Sequence, residues 1–198
     1  MVPVSDIDGV VHFCIDAFEV SRAWVGALGE KDQLGDWPDG STTEEPVSER
    51  GVEPLILVSF YQAAAMCLNV DKTLCTTEQW LDACDGQVGE GGRTFPWGDE
   101  PDYTICATVD EEGAQVYERP QATGSFPDCV TVGGAYDMAG NVWEWTDPGY
   151  DGTGPPPADK VGGAYYSGEG NYECAAKPVQ GHPRDFYGTI GFRCCTTL

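Results

Sequence analysis

Nine cysteines run from Cys14 to Cys195, and the last two, Cys194 and Cys195, are adjacent. None stands in a CxxC pair and only two histidines accompany them, which argues against a zinc site and for disulfides. Neighbours on a strand point to opposite faces, so Cys194 and Cys195 must serve two different bridges. Cys75 and Cys84 are not partners either. A helix starting near Thr76 would set their α-carbons roughly 12 Å apart, beyond the ~7 Å limit for a bridge. The pairing assigned here is Cys14 with Cys75, Cys84 with Cys106, Cys174 with Cys194 and Cys129 with Cys195. Cys67 is left over on an alanine-rich helical face, where a lone cysteine acts as a small buried apolar group. Four bridges closing long loops, each adding ~2 to 4 kcal/mol, suit a chain with 26 glycines and 14 prolines.

At 198 residues the chain is read as one domain, 1–198, with one sizeable core. Phe13 to Val20 alternates as a strand does, and 26–53 is polar and acidic, a long surface loop. After the apolar run Leu55 to Val58, Ser59 and Gln62 form a capping box that opens a helix over Tyr61 to Asn69. Thr76 and Gln79 repeat the arrangement for a second helix, which Gly86 ends. Val142 to Trp145 and Thr189 to Cys195 are the remaining strand candidates.

Thirty-three acidic residues against ten basic ones give a net charge of -23. Such a field repels phosphate backbones and anionic lipid, so neither nucleic acid nor a membrane surface is an expected partner. No apolar run approaches a membrane span. No basic, apolar leader opens the chain, and any export signal is expected to lie outside it. The disulfides place the protein in an oxidising setting, extracellular, periplasmic or at the cell surface.

The stretch Tyr136-Asp137-Met138-Ala139-Gly140-Asn141-Val142-Trp143-Glu144-Trp145 is answered by Gly162-Gly163 and by Gly191-Phe192-Arg193. Earlier come Phe18-Glu19-Val20, Ala64 to Cys67, Leu74 with Thr77-Glu78-Gln79-Trp80, and Phe95-Pro96-Trp97-Gly98-Asp99. In this order they resemble the signature of the formylglycine-generating enzyme, or sulfatase-modifying factor, family. The resemblance implies an α+β chain in that family's variant of the C-type lectin fold, loop-rich, with short strands and two main helices. A strand near Phe13 to Val20 would carry the Glu19-Val20 pair.

The family's enzymes hold Cu(I) with two cysteines that follow the glycine pair. Counted from Gly162-Gly163, those positions are Ser167 and Tyr172. A hydroxyl and a phenol do not replace two soft thiolates, so copper is not expected and the non-catalytic reading stands ahead of the enzyme. Asp137, Gly140, Val142 and Glu144 match a structural Ca2+ site of the family: two carboxylates and two backbone carbonyls are suitable hard ligands. The plainer alternative is that Asn141 shapes a turn, the tryptophans are core and Glu144 pairs with Arg193. The family's other calcium site finds no counterpart around Thr108 to Glu112.

Three functions remain open. A secreted, calcium-stabilised binding module would meet a protein or small extracellular ligand through Tyr165, Tyr166, Ser167, Asn171, Tyr172, Arg184, Phe186 and Tyr187. Tyrosine, serine and asparagine make adaptable recognition surfaces, and in proteins resembling this one that segment is the ligand face. An oxidase would convert a client-protein cysteine to formylglycine. A structural subunit would self-assemble outside the cell.

Overall fold

The computed structural model describes residues 1–22, 44–89, 91–149 and 158–197. Its first sheet joins the two ends of the chain. Strand β1 (Val2–Ser5) pairs antiparallel with β2 (Val11–Ile15). A short ribbon, β3 (Ser21–Arg22) with β4 (Pro46–Val47), follows, and most of the expected surface loop at 26–53 lies outside the described residues.

Both capping boxes are present. Ser59 opens α1 (Phe60–Leu68) and exchanges bonds with Gln62; Thr76 opens α2 (Thr77–Asp85) and does the same with Gln79. Gly86 closes α2 at φ +91, a left-handed angle that glycine adopts without strain. Strand β5 (Thr73–Leu74) lies between the helices.

The second sheet has the order β8-β7-β6-β9, built from β6 (Trp143–Thr146), β7 (Ala158–Val161), β8 (Val179–Gly181) and β9 (Ile190–Phe192). Strand β9 runs parallel to β6, and the other pairs are antiparallel. One residue later, β10 (Cys194–Thr197) belongs to the first sheet, in the order β1-β2-β10-β5. The expected strand Thr189 to Cys195 is therefore two strands in two sheets, with Arg193 at the crossing. The expected strand Phe13 to Val20 stops at Ile15; beyond it Val20 bonds through its amide to Phe192.

Helix α1 packs Phe60, Ala63 and Met66 with Trp145, Ile190 and Phe192 on the second sheet. Helix α2 packs Trp80, Ala83 and Cys84 with Phe13, Ile15 and Met138 beside the first.

Four disulfides tie these layers together, and none is a pair assigned above. They are Cys67–Cys194, Cys75–Cys195, Cys84–Cys174 and Cys106–Cys129, and Cys14 is the free thiol. Two expectations hold: Cys194 and Cys195 serve separate bridges, and Cys75 is not joined to Cys84. The leftover is corrected from Cys67 to Cys14. The register gives the reason: Cys14 stands opposite Pro3 on one side and Thr196 on the other, whereas Cys67 shares a cluster with Cys194.

Candidate functional site

A buried charged centre lies beneath the turn that leads into β6. Asp137, Gly140 and Asn141 all take positive φ, and a Cβ on Gly140 would stand 2.2 Å from the Ala107 carbonyl oxygen, so only glycine fits. Asn141 does more than shape the turn. Its side chain donates to Glu19 Oε2 at 2.7 Å and accepts from the Gln121 amide at 2.7 Å, while its backbone binds Ala107 and Tyr165.

Glu144 is held from within the chain. Arg193 Nε lies 2.9 Å from both of its oxygens, and Trp80 Nε1 donates to one of them at 2.9 Å. Arg193 is fully buried and also donates to the carbonyls of Asp16 and Tyr136. The pairing of Glu144 with Arg193 is thus real. Trp145 is core, its indole bonded to the Val58 carbonyl, whereas Trp143 is half-buried.

Asp137 Oδ2 accepts from the Gly124 amide at 2.6 Å, and burial pushes its carboxyl up to about 6. Glu19 is a member of this centre that the sequence reading named only as part of a strand motif. It is completely buried, and its Oε1 has no hydrogen-bond partner. Burial, and then the charges of Asp137 and Glu144, raise its carboxyl well above the ordinary range. The Arg193 guanidinium acts on all three carboxylates, and Arg50 adds a second positive charge near Asp137. An acidic residue between Phe18 and Val20 in an apolar run was the available signal.

Among the described residues no three His, Cys, Asp or Glu side chains are gathered to hold a metal. The residues fit a calcium ion only in part. Glu144 is occupied by Arg193, while one oxygen of Glu19 is left without a partner. What calcium would add is charge neutralisation and a rigid turn.

The positions counted for copper are closed. Gly162 and Gly163 turn the chain at φ +83 and +73, and Ser167 Oγ accepts the Ala164 amide at 2.9 Å. Tyr172 is fully buried, and its hydroxyl faces the carbonyls of Ser167 at 2.5 Å and Ala164 at 3.1 Å. Burial pushes that phenol up to about 12. Cys174 is tied to Cys84 and offers no thiolate.

The eight residues matched to a ligand face divide. Ser167, Tyr172 and Tyr165 are buried, and Asn171 is half-buried with its amide bonded to Gly168. Tyr166, Phe186 and Tyr187 are 43, 48 and 53 % exposed, and Arg184 is exposed with its guanidinium over the Tyr61 ring. Lys160 on β7 joins them, its ammonium 6.0 Å from the ring centres of both Trp143 and Tyr187.

The model of the sulfatase-modifying factor enzyme 1-like domain matches residues 2–198. The chain belongs to this family. Formylglycine-generating enzyme of Mus musculus is 28% identical over 196 residues, covering 86% of this chain and 50% of that protein. The inactive C-alpha-formylglycine-generating enzyme 2 of the same species is 26% identical over 171 residues, covering 81% and 54%. Hercynine oxygenase of Mycolicibacterium smegmatis is 33% identical over 112 residues, 55% of this chain and 25% of that protein. The sulfatase-modifying-factor-like chain thus spans about half the length of its formylglycine-generating relatives.

Solved structures show the fold. PvdO from Pseudomonas aeruginosa superposes with a TM-score of 0.61 at 16% identity, covering all of this chain and 91% of that one. Treponema denticola variable protein 1 gives 0.59 at 13%, covering 97% of each. The α+β sulfatase-modifying-factor variant of the C-type lectin fold, with two helices, mixed sheets and four disulfides, is therefore the architecture of this chain. Those bridges are compatible with an extracellular or lumenal setting. Among the described residues no helix is long and apolar enough to cross a membrane.

Proposed function

We propose that this sulfatase-modifying-factor-like chain is a non-catalytic module, exported and calcium-stabilised, that binds its ligand through the exposed aromatic face of its C-terminal third. One observation carries the reading. At the two positions where the family's enzymes place cysteines, Ser167 and Tyr172 are buried and bonded into the backbone, while Tyr166, Arg184, Phe186 and Tyr187 face outward. A hydroxyl and a phenol with its proton held tightly give Cu(I) no soft ligand. An oxidase built on this chain would need another source of thiolates, and Cys14 is its one free cysteine.

Calcium has a structural role in this proposal. Asp137 and the carbonyls of Gly140 and Val142 would hold it, with Glu19 in place of Glu144, whose charge Arg193 already satisfies. Titration with Cu(I) against a chromogenic chelator tests the catalytic half. The chain should leave the chelator's copper in place, whereas stoichiometric capture of copper by the oxidised, four-disulfide protein would refute the reading.

A further inference from the structure

We infer that the corner formed by Lys160, Trp143 and Tyr187 recognises a carboxylate on an acidic peptide segment of a partner protein. This rests on the reading of the C-terminal face as the ligand surface and adds to it the chemistry of what is bound.

Charge is the first argument. In a chain with 33 acidic and 10 basic residues, a cation is expected to find a carboxylate of its own. Lys72, Arg119 and Arg193 do, pairing with Asp16, Glu53 and Glu144. Lys160, like Arg50, Arg93 and Lys177, takes part in none of the ion pairs among the described residues, and it alone of these lies over two rings. Its ammonium instead sits 6.0 Å from the centres of two rings, an arrangement that holds a cation in place without neutralising it.

The form of the surface selects the class of partner. A small ligand is usually enclosed over most of its area, whereas here three aromatic side chains, Tyr166, Phe186 and Tyr187, stand about half in solvent. Exposed tyrosine and phenylalanine with arginine is the composition of a protein interface. The -23 charge opposes a second copy of this chain and any strongly acidic protein at long range. The partner's carboxylates must therefore be few and local, set among apolar residues that cover the rings.

The test is selection of a random-peptide display library on the full chain in about 0.15 M salt. Enriched peptides are then synthesised with their Asn and Gln isosteres, and affinities are measured by calorimetry on the wild type, Lys160→Gln and Tyr187→Ala. Enriched peptides should carry Asp or Glu beside apolar residues, and the isosteres should bind roughly 10-fold more weakly. Lys160→Gln should erase that difference, while Tyr187→Ala should weaken acidic and amide peptides alike. No enrichment, neutral or basic consensus peptides, or a carboxylate preference that survives Lys160→Gln would each overturn the inference. Equal binding of acid and amide, lost on Tyr187→Ala, would leave the ligand face standing and remove only its carboxylate specificity. Indifference to Tyr187→Ala, Phe186→Ala and Tyr166→Ala would remove both.

Discussion

Replacing Glu19 by glutamine should stabilise the protein in chelator and deprive it of stabilisation by calcium. Glu19 keeps its proton in the fold at pH values where the unfolded chain has lost it, because burial and the charges of Asp137 and Glu144 oppose ionisation. Between its ordinary value of 4.5 and its raised value, the folded state therefore binds more protons than the unfolded one. Stability is fully present below 4.5 and is lost as pH climbs through the raised value. The penalty grows with every pH unit that separates the solution from 4.5 inside that window. Glutamine has the same shape and no charge, so Glu19→Gln should match the wild type near pH 4.5 and exceed it increasingly above. For a domain of this size 1 kcal/mol moves Tm by roughly 2 to 4 °C, so the gap in EGTA should be readable as a Tm difference that widens as pH rises from 4.5 to 7. Calcium acts in the opposite direction. At ~100 times Kd it should add about 2.7 kcal/mol to the wild type and nothing to the variant. Scanning calorimetry from pH 4 to 8 with EGTA or calcium reads both effects. A variant no more stable than the wild type at pH 7 in EGTA would refute the buried-charge argument, and equal calcium shifts in both proteins would refute Glu19 as a ligand.

Other expectations are simpler to check. Thiol titration of the denatured, unreduced chain should count about one free thiol, which Cys14→Ser abolishes while changing stability by no more than ~0.5 kcal/mol. Removing both Cys67 and Cys194 should cost roughly 2 to 5 kcal/mol, measured by urea unfolding. Tyr172→Phe leaves the buried carbonyls of Ser167 and Ala164 without their hydroxyl donor and should cost about 1 to 3 kcal/mol in the same assay. Gly140→Ala forces a Cβ against the Ala107 carbonyl at a left-handed φ, and should cost at least ~2 kcal/mol or leave the chain unfolded by circular dichroism.

Local chemistry was readable where one short segment settles the matter. Ser59 with Gln62 and Thr76 with Gln79 started both helices, and Gly86 ended the second, because caps depend on neighbours in sequence. Strands β7 and β8 were missed because Ala-Asp-Lys-Val and Val-Gln-Gly carry no alternation; their pairing is dictated by β6 alongside. The disulfide partners depend on the same long-range register. Once β10 leaves β9 at Arg193 and lies against β5, the two terminal cysteines face Cys67 and Cys75. At the candidate site, Asp137 and Glu144 were found by motif, but a motif does not show whose charge a carboxylate answers. Arg193, nearly fifty residues further on, takes Glu144, and Glu19, more than a hundred residues before, is left with one oxygen bonded to Asn141 and the other without a partner. Likewise Ser167 and Tyr172 were located by counting, and only the packing shows that they are sealed rather than presented.

The most direct test is to incubate the chain with Cu(I), oxygen, a reductant and a sulfatase-type cysteine peptide, then weigh the peptide by mass spectrometry. Closed positions without thiolates at Ser167 and Tyr172 predict an unchanged cysteine; a peptide mass corresponding to formylglycine, formed in proportion to the protein added, would contradict the account.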